Sequence, residues 1–337
     1  MKKNSYVMES DRRILQELPL NSAEPSLQSR CLVGLLRILP IKKQLASAAA
    51  VQDRVRKLSL YPASYEPRGL GRGVEVILKH VAGWPVYFTA PSKNPDAPKY
   101  VVFLHGGGYI NEIVRAHWRF IGFLTRNAQV RCVVPIYPLA PHATAEEVVP
   151  TLGDFLRRLL VKAGPENVTV IGNSAGAGLG LAGVQWLRDF GYSQPNGLVM
   201  ISPGLDASIS RPEQIAIAAH DPLQDIPGVI EVGRLYAGDL DVTHPYVSPL
   251  NGDLCGLAPM LVFSGTLDLH YPCCIDLATK ARAAGVPVEL HLRKGQPHNY
   301  AAMPTPEGRE ARSIILRFLA QGLKSSLSAE PPSGNTI

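Results

Sequence analysis

The sequence predicts an α/β fold, a largely parallel sheet of eight strands flanked by helices. From about residue 74 to 320, short β-branched runs alternate with longer helical patterns, as strands and crossover helices do. The later strands are separated by segments long enough for right-handed crossovers. The first two are divided only by Ala82-Gly83-Trp84-Pro85, which suits a hairpin. With 337 residues, 46% of them hydrophobic and 18% charged, the chain can bury one large core and is neither disordered nor collagen-like.

Residues 1–65 stand outside the alternation, with helical patterns at 27–39 and 44–60. Strands are expected at 74–81, 86–89, 100–104, 131–136, 168–171, 198–201, 260–263 and 288–292, and helices at 115–126, 145–162, 176–190, 272–284 and 307–323. The helix at 145–162 is the clearest, because Val148, Leu152, Phe155, Leu156 and Leu159 recur on one face. Residues 207–244 form a second segment outside the pattern. Insertions of that size in a compact α/β domain are usually functional lids. Residues 1–65 and 207–244 are therefore expected to cap a core of residues 66–324, and the Ser-, Pro- and Gly-rich tail 325–337 to fray.

Lys and Arg number 34 against 28 Asp and Glu, a net charge of +6. The cations lie in short scattered clusters such as Lys42-Lys43 and Arg157-Arg158 without interleaved aromatics, which argues for a solvated basic surface and against nucleic-acid binding. Five cysteines, an odd number without a C-x-x-C, point to reduced thiols. The basic N-terminus lacks the apolar run of a signal peptide, and no stretch is long and apolar enough to span a membrane. A soluble, cytoplasmic protein is expected. The apolar segment 31–39, with Lys42-Lys43 nearby, reads either as a cap helix over a pocket or as a weak membrane-surface contact.

The strongest local signal is Gly172-Asn173-Ser174-Ala175-Gly176, between a strand pattern and a helical one. This G-x-S-x-G arrangement is the nucleophile elbow: a tight strand-to-helix turn holds the serine hydroxyl proud of the sheet, and the flanking glycines allow close chain approach. The second signal is His105-Gly106-Gly107-Gly108, directly after a strand. Glycines there leave backbone N–H groups uncovered, as an oxyanion requires, and the expected donors are the amides of Gly107, Gly108 and Ala175. His105 is expected to brace this loop.

A serine nucleophile needs a base, itself held by an acid, in the chain order Ser, Asp or Glu, His. Asp268 and His298 follow the strands at 260–263 and 288–292. They are preferred over Asp276 and Asp253 for the acid, and over His270, His291, His220 and His244 for the base. The run from Gly178 to Gly183 matches G-x-G-x-x-G, but Gly172 to Ala177 separate it from the strand end, so it reads as helix packing and not as a dinucleotide site. No Cys, His or carboxylate cluster has metal-ligand spacing, and neither metal nor cofactor is expected.

HGGG, GNSAG, Ser202-Pro203-Gly204-Leu205-Asp206, Ser264-Gly265-Thr266-Leu267-Asp268 and the late His298 stand in an order that resembles the hormone-sensitive-lipase-like family of α/β-hydrolases, over roughly residues 70–320. That resemblance implies an α/β-hydrolase fold and a serine esterase with a cap formed by N-terminal helices and an insertion after the sixth strand. The sequence departs from the family at Asn173, where Asp is usual, and around His298, in Gln296-Pro297-His298-Asn299-Tyr300. The substrate class expected is a small to medium, largely neutral or apolar ester. A specialised hydrolase or cyclase acting on a lactone, thioester or amide, and a non-catalytic binding protein on the same frame, are the alternatives.

Overall fold

A computed structural model describes residues 20–321. Nine strands among these residues form one sheet: β1 (Leu20–Asn21), β2 (Val74–Val81), β3 (Trp84–Pro91), β4 (Tyr100–Leu104), β5 (Arg131–Pro135), β6 (Val168–Asn173), β7 (Gly197–Ile201), β8 (Met260–Leu267) and β9 (Val288–Pro297). Their spatial order is β1-β9-β8-β7-β6-β4-β5-β3-β2. The β2–β3 hairpin and the β3–β5 pair are antiparallel, and the other pairs are parallel.

The expected count of eight strands is corrected by β1, which pairs Leu20 with Leu292 at the β9 edge. A two-residue strand is too short to leave a period in the sequence. The helices are α1 (Leu27–Ile38), α2 (Ala48–Leu60), α3 (Arg115–Ala128), α4 (Ala145–Ala163), α5 (Ala175–Asp189), α6 (Pro212–Ala218), α7 (Ile226–Ala237), α8 (Tyr271–Ala283) and α9 (Pro306–Gln321). The pattern read as one helix over 44–60 divides into a 3-10 turn, Lys42–Leu45, and α2. The break comes at Ser47, whose side chain accepts the Ala50 N–H at 3.1 Å and starts a new helix. The tail 325–337 lies outside the described residues.

The central strands read as continuous apolar runs because both faces are covered. Val102 and Leu104 of β4 join one core with residues of α4, α5 and α8, while Val101 and Phe103 join the other with residues of α3 and α9. The parallel strands end along one rim, and the loops leaving β4, β6, β8 and β9 gather there.

The N-terminal segment and the insertion meet beside that rim. α2 and the Lys42–Leu45 turn pack on α7, where a Cβ on Gly228 would lie 2.2 Å from the Leu45 carbonyl oxygen. Lys42 Nζ donates to the carbonyls of Ala218 (2.5 Å) and Asp221 (3.0 Å). α1 sits apart from this contact, on β9 and α9, where Ser29 Oγ donates to Glu307 Oε2 (2.6 Å) and Gln296 Oε1 (3.3 Å).

Candidate active site

β6 runs straight into α5 through Ser174, whose backbone has φ 53° and ψ −124°, a left-handed conformation that costs about 1–3 kcal/mol in a residue with a side chain. The turn is pinned by the Ser174 N–H donating to Ile201 O at 2.9 Å, and by the Gly204 N–H donating to Ser174 O at 3.1 Å. The two flanking glycines are required by space. A Cβ on Gly172 would stand 2.4 Å from Gly176 O, and one on Gly176 would stand 2.2 Å from Leu104 O and 2.4 Å from His105 O. Those neighbours are backbone and cannot swing aside. Gly176→Ala is therefore expected to destabilise the fold by about 1–3 kcal/mol, read as a fall in denaturation midpoint.

Gly178, the start of the G-x-G-x-x-G run, likewise lies against backbone, with its Cβ position 2.1 Å from Gly204 O. That run serves helix packing.

The loop after β4 comes down beside the elbow. Asn173 Oδ1 accepts the Gly106 N–H at 2.9 Å, so the residue standing where the resemblance leads one to expect Asp braces the glycine loop. His105 is fully buried, bonds Gly106 O through Nδ1 (2.9 Å) and stacks on Tyr137 at 4.5 Å. Burial drops its pKa to about 4, leaving a neutral brace. Gly107 and Gly108 have φ of 139° and 61°, conformations that suit glycine. The Gly107 carbonyl accepts from the N–H (3.0 Å) and side-chain Nδ2 (2.9 Å) of Asn111, which turns the peptide so that its carbonyl is tied back. Gly107, Gly108 and Ala175 all line the cavity in front of Ser174.

The loops after β8 and β9 bring the remaining two residues to the serine. His298 Nε2 lies 2.9 Å from Ser174 Oγ, and His298 Nδ1 lies 2.9 Å from Asp268 Oδ1. Asp268 is 0% exposed, His298 5% and Ser174 9%. The second carboxylate oxygen of Asp268 accepts from Ser264 Oγ at 3.1 Å, and Oδ1 also accepts the His270 N–H at 3.1 Å. Burial alone would raise the Asp268 carboxyl, but the charge and hydrogen bond of His298 outweigh it and hold the group well below the usual carboxylate range. Burial alone would depress His298. The charge and hydrogen bond of Asp268, with a further contribution from Asp221, reverse that and raise it.

The competing acids and bases lie elsewhere. Asp276 pairs with Arg211 at 2.5 Å, and Asp253 is exposed beside Arg188. His291 faces Glu289 at 2.7 Å, and His244 contacts Tyr246. His270 is near, with its ring 5.5 Å from that of His298, but it bonds Gln224 and burial lowers its pKa to about 4.

One residue that the sequence did not single out does reach this region. Asp221, from the insertion, accepts the Leu269 N–H at 2.9 Å, directly behind the Asp268 turn. Its only local signal is the run Asp221-Pro222-Leu223, an ordinary turn composition.

The cavity holds about 290 Å³. Its floor is the Ser174 elbow with Gly107, Gly108 and His298, and much of its wall is apolar, from Leu45 of the N-terminal segment and Val229 and Val232 of α7. Among the described residues no group of three or more His, Cys, Asp or Glu could hold a metal, and no helix is long and apolar enough to cross a membrane.

Comparison with known proteins points the same way. The α/β-hydrolase fold family matches over residues 101–302. A triacylglycerol lipase of Mycobacterium tuberculosis is 33% identical over 211 residues, 62% of this chain and 44% of that protein, so the match spans less than half of the lipase. An acetyl-hydrolase of Streptomyces hygroscopicus is 31% identical over 231 residues, 66% of this chain and 77% of that protein. Among solved structures, an esterase from the bacterial hormone-sensitive lipase family superposes with a TM-score of 0.74 at 27% identity, covering 88% of this chain and 98% of that one. The chain belongs to the α/β-hydrolase family, in the hormone-sensitive-lipase-like branch of carboxylic ester hydrolases.

Proposed function

We propose that this carboxylic ester hydrolase works through an acyl-enzyme on Ser174, with His298 as general base and acid and Asp268 as the residue that orients it. The observation that carries the reading is the unbroken hydrogen-bonded chain from Ser174 Oγ through both ring nitrogens of His298 to Asp268. An ionised Asp268 can only accept, so the imidazole proton resides on Nδ1 and Nε2 is free to take the serine proton. Oγ then attacks the ester carbonyl carbon. The amides of Gly107, Gly108 and Ala175 receive the developing oxyanion, and a donor of that kind is worth about 10²–10³ in rate. The protonated His298 passes its proton to the leaving alcohol. Water, deprotonated by the same nitrogen, releases the acid.

A small to medium ester with an apolar portion fits the reading, supported by the largely apolar wall of the 290 Å³ cavity and by relatives described as an acetyl-hydrolase and a triacylglycerol lipase. The insertion and α2 serve as the cap that shapes it. Five unpaired thiols support residence in a reducing compartment.

The direct test is labelling with a fluorophosphonate followed by peptide mapping. The adduct is expected on Ser174, and an adduct elsewhere overturns the assignment. A series of p-nitrophenyl esters should show kcat/KM highest for short and medium acyl chains and falling for long ones. The pH profile follows from the His298 shift. The base must be neutral to accept a proton, so kcat/KM should fall as pH drops through a pKa above the free-imidazole 6.5. A limb centred below 6.5 would contradict it.

A further inference from the structure

The insertion delivers a second buried carboxylate to the back of the site. Asp221 is 2% exposed and accepts three backbone N–H groups: Leu223 (2.8 Å) and Gln224 (3.0 Å) on Oδ1, and Leu269 (2.9 Å) on Oδ2. The first two close its own turn, and the third crosses to the loop after β8. The consecutive amides of Leu269 and His270 thus point at two different carboxylates, Asp221 and Asp268, which fixes both peptide planes beside the acid. A second tie runs parallel, with Gln224 Nε2 3.1 Å from His270 Nε2. Lys42, from the N-terminal segment, holds the same turn by its Ala218 and Asp221 carbonyls.

We propose that Asp221 is a positioning residue: by clamping the Leu269 amide it sets the direction of the Asp268 carboxylate toward His298, so that the seated insertion is a working part of the hydrolytic site. This deepens the acyl-enzyme reading and rests on it.

Burying a like charge near Asp268 is costly, and a neutral acceptor such as Asn could close the local turn without that cost. The carboxylate has two effects an amide lacks. It accepts from Leu269 without presenting a donor to it, and it adds negative potential where His298 becomes charged during turnover. The charged groups acting on it are Asp268 and His298; Lys42 bonds its backbone carbonyl and not its carboxylate, His270 follows Leu269 and bonds Gln224, and His220 is adjacent in the chain. Burial and the Asp268 charge push Asp221 up to about 6, so it is ionised at neutral pH.

The test compares wild type with Asp221→Asn and Asp221→Glu on p-nitrophenyl butyrate. The Asn variant should lose about 10-fold in kcat with KM within about 2-fold. Its acidic limb should move to lower pH, because a neighbouring negative charge that favours imidazolium is gone. The Glu variant should keep the limb near the wild-type position. A limb that stays in place in Asp221→Asn, with the loss confined to KM or to thermal stability, overturns the proposal.

A wild-type measurement covers the case in which the Asn variant does not fold. The Leu269 amide proton should shift in NMR as the Asp221 carboxylate titrates, near pH 6, and a Leu269 resonance that does not respond to that titration overturns the clamp. Failure of the acyl-enzyme reading would look different, as a wild-type protein that neither labels at Ser174 nor turns over ester.

Discussion

Ser174→Ala is expected to lower kcat by about four to six orders of magnitude while leaving the fold intact. The hydroxyl is the only atom removed. The backbone strain at φ 53° is the same for Ala as for Ser, and the turn is held by backbone bonds to Ile201 and Gly204 that the substitution does not touch. The loss should therefore appear in turnover and in fluorophosphonate labelling, with the thermal midpoint within about 2 °C of wild type, since a change under about 0.5 kcal/mol moves Tm by little in a chain of this size. A variant retaining more than about 1% of wild-type kcat would place the nucleophile elsewhere, because a background that high exceeds what an oxyanion site and binding alone supply.

Asp268→Asn is expected to cost about 10⁴ in kcat with much smaller change in KM. The shapes match, so packing survives. The chemistry does not, because an amide facing His298 can present N–H groups, which drives the imidazole proton to Nε2 and leaves no lone pair for Ser174 Oγ–H. The same substitution has a pH signature in stability. A carboxyl held below its ordinary value stabilises the fold at pH above that value and loses this contribution as pH falls through its folded-state pKa. The gap in denaturation midpoint between wild type and Asp268→Asn should therefore be widest near neutral pH and narrow in acid. A variant with near-normal kcat would assign the orienting role to another group.

Much of this site is legible in one dimension because each of its residues sits at a strand end, and strand ends are marked by composition. Ser174 stands between β-branched residues and a glycine-rich helix start. Asp268 and His298 follow the last two parallel strands, and β8 and β9 run a few residues beyond their β-branched stretches, so His298 comes immediately after Pro297. What sequence could not give is what closes in space between distant segments. Asn173 reads as a departure from the family pattern until its bond to Gly106 is seen. Asp221 lies 48 residues from Leu269, in the segment with the weakest periodicity, and nothing in its neighbours announces the contact. β1 was hidden by its length, and the start of α2 by a serine cap inside an otherwise continuous helical pattern.

The elbow and the cavity wall are made of different material, and this bears on how new substrate ranges could be engineered. Around Gly172 and Gly176 the nearest neighbours are main-chain atoms, which no exchange of residues can trim. The opposite wall presents the exchangeable side chains of Val229 and Val232 on α7. Libraries built on that helix should diversify selectivity while the reacting centre stays fixed, whereas side chains introduced at Gly172 or Gly176 should cost stability.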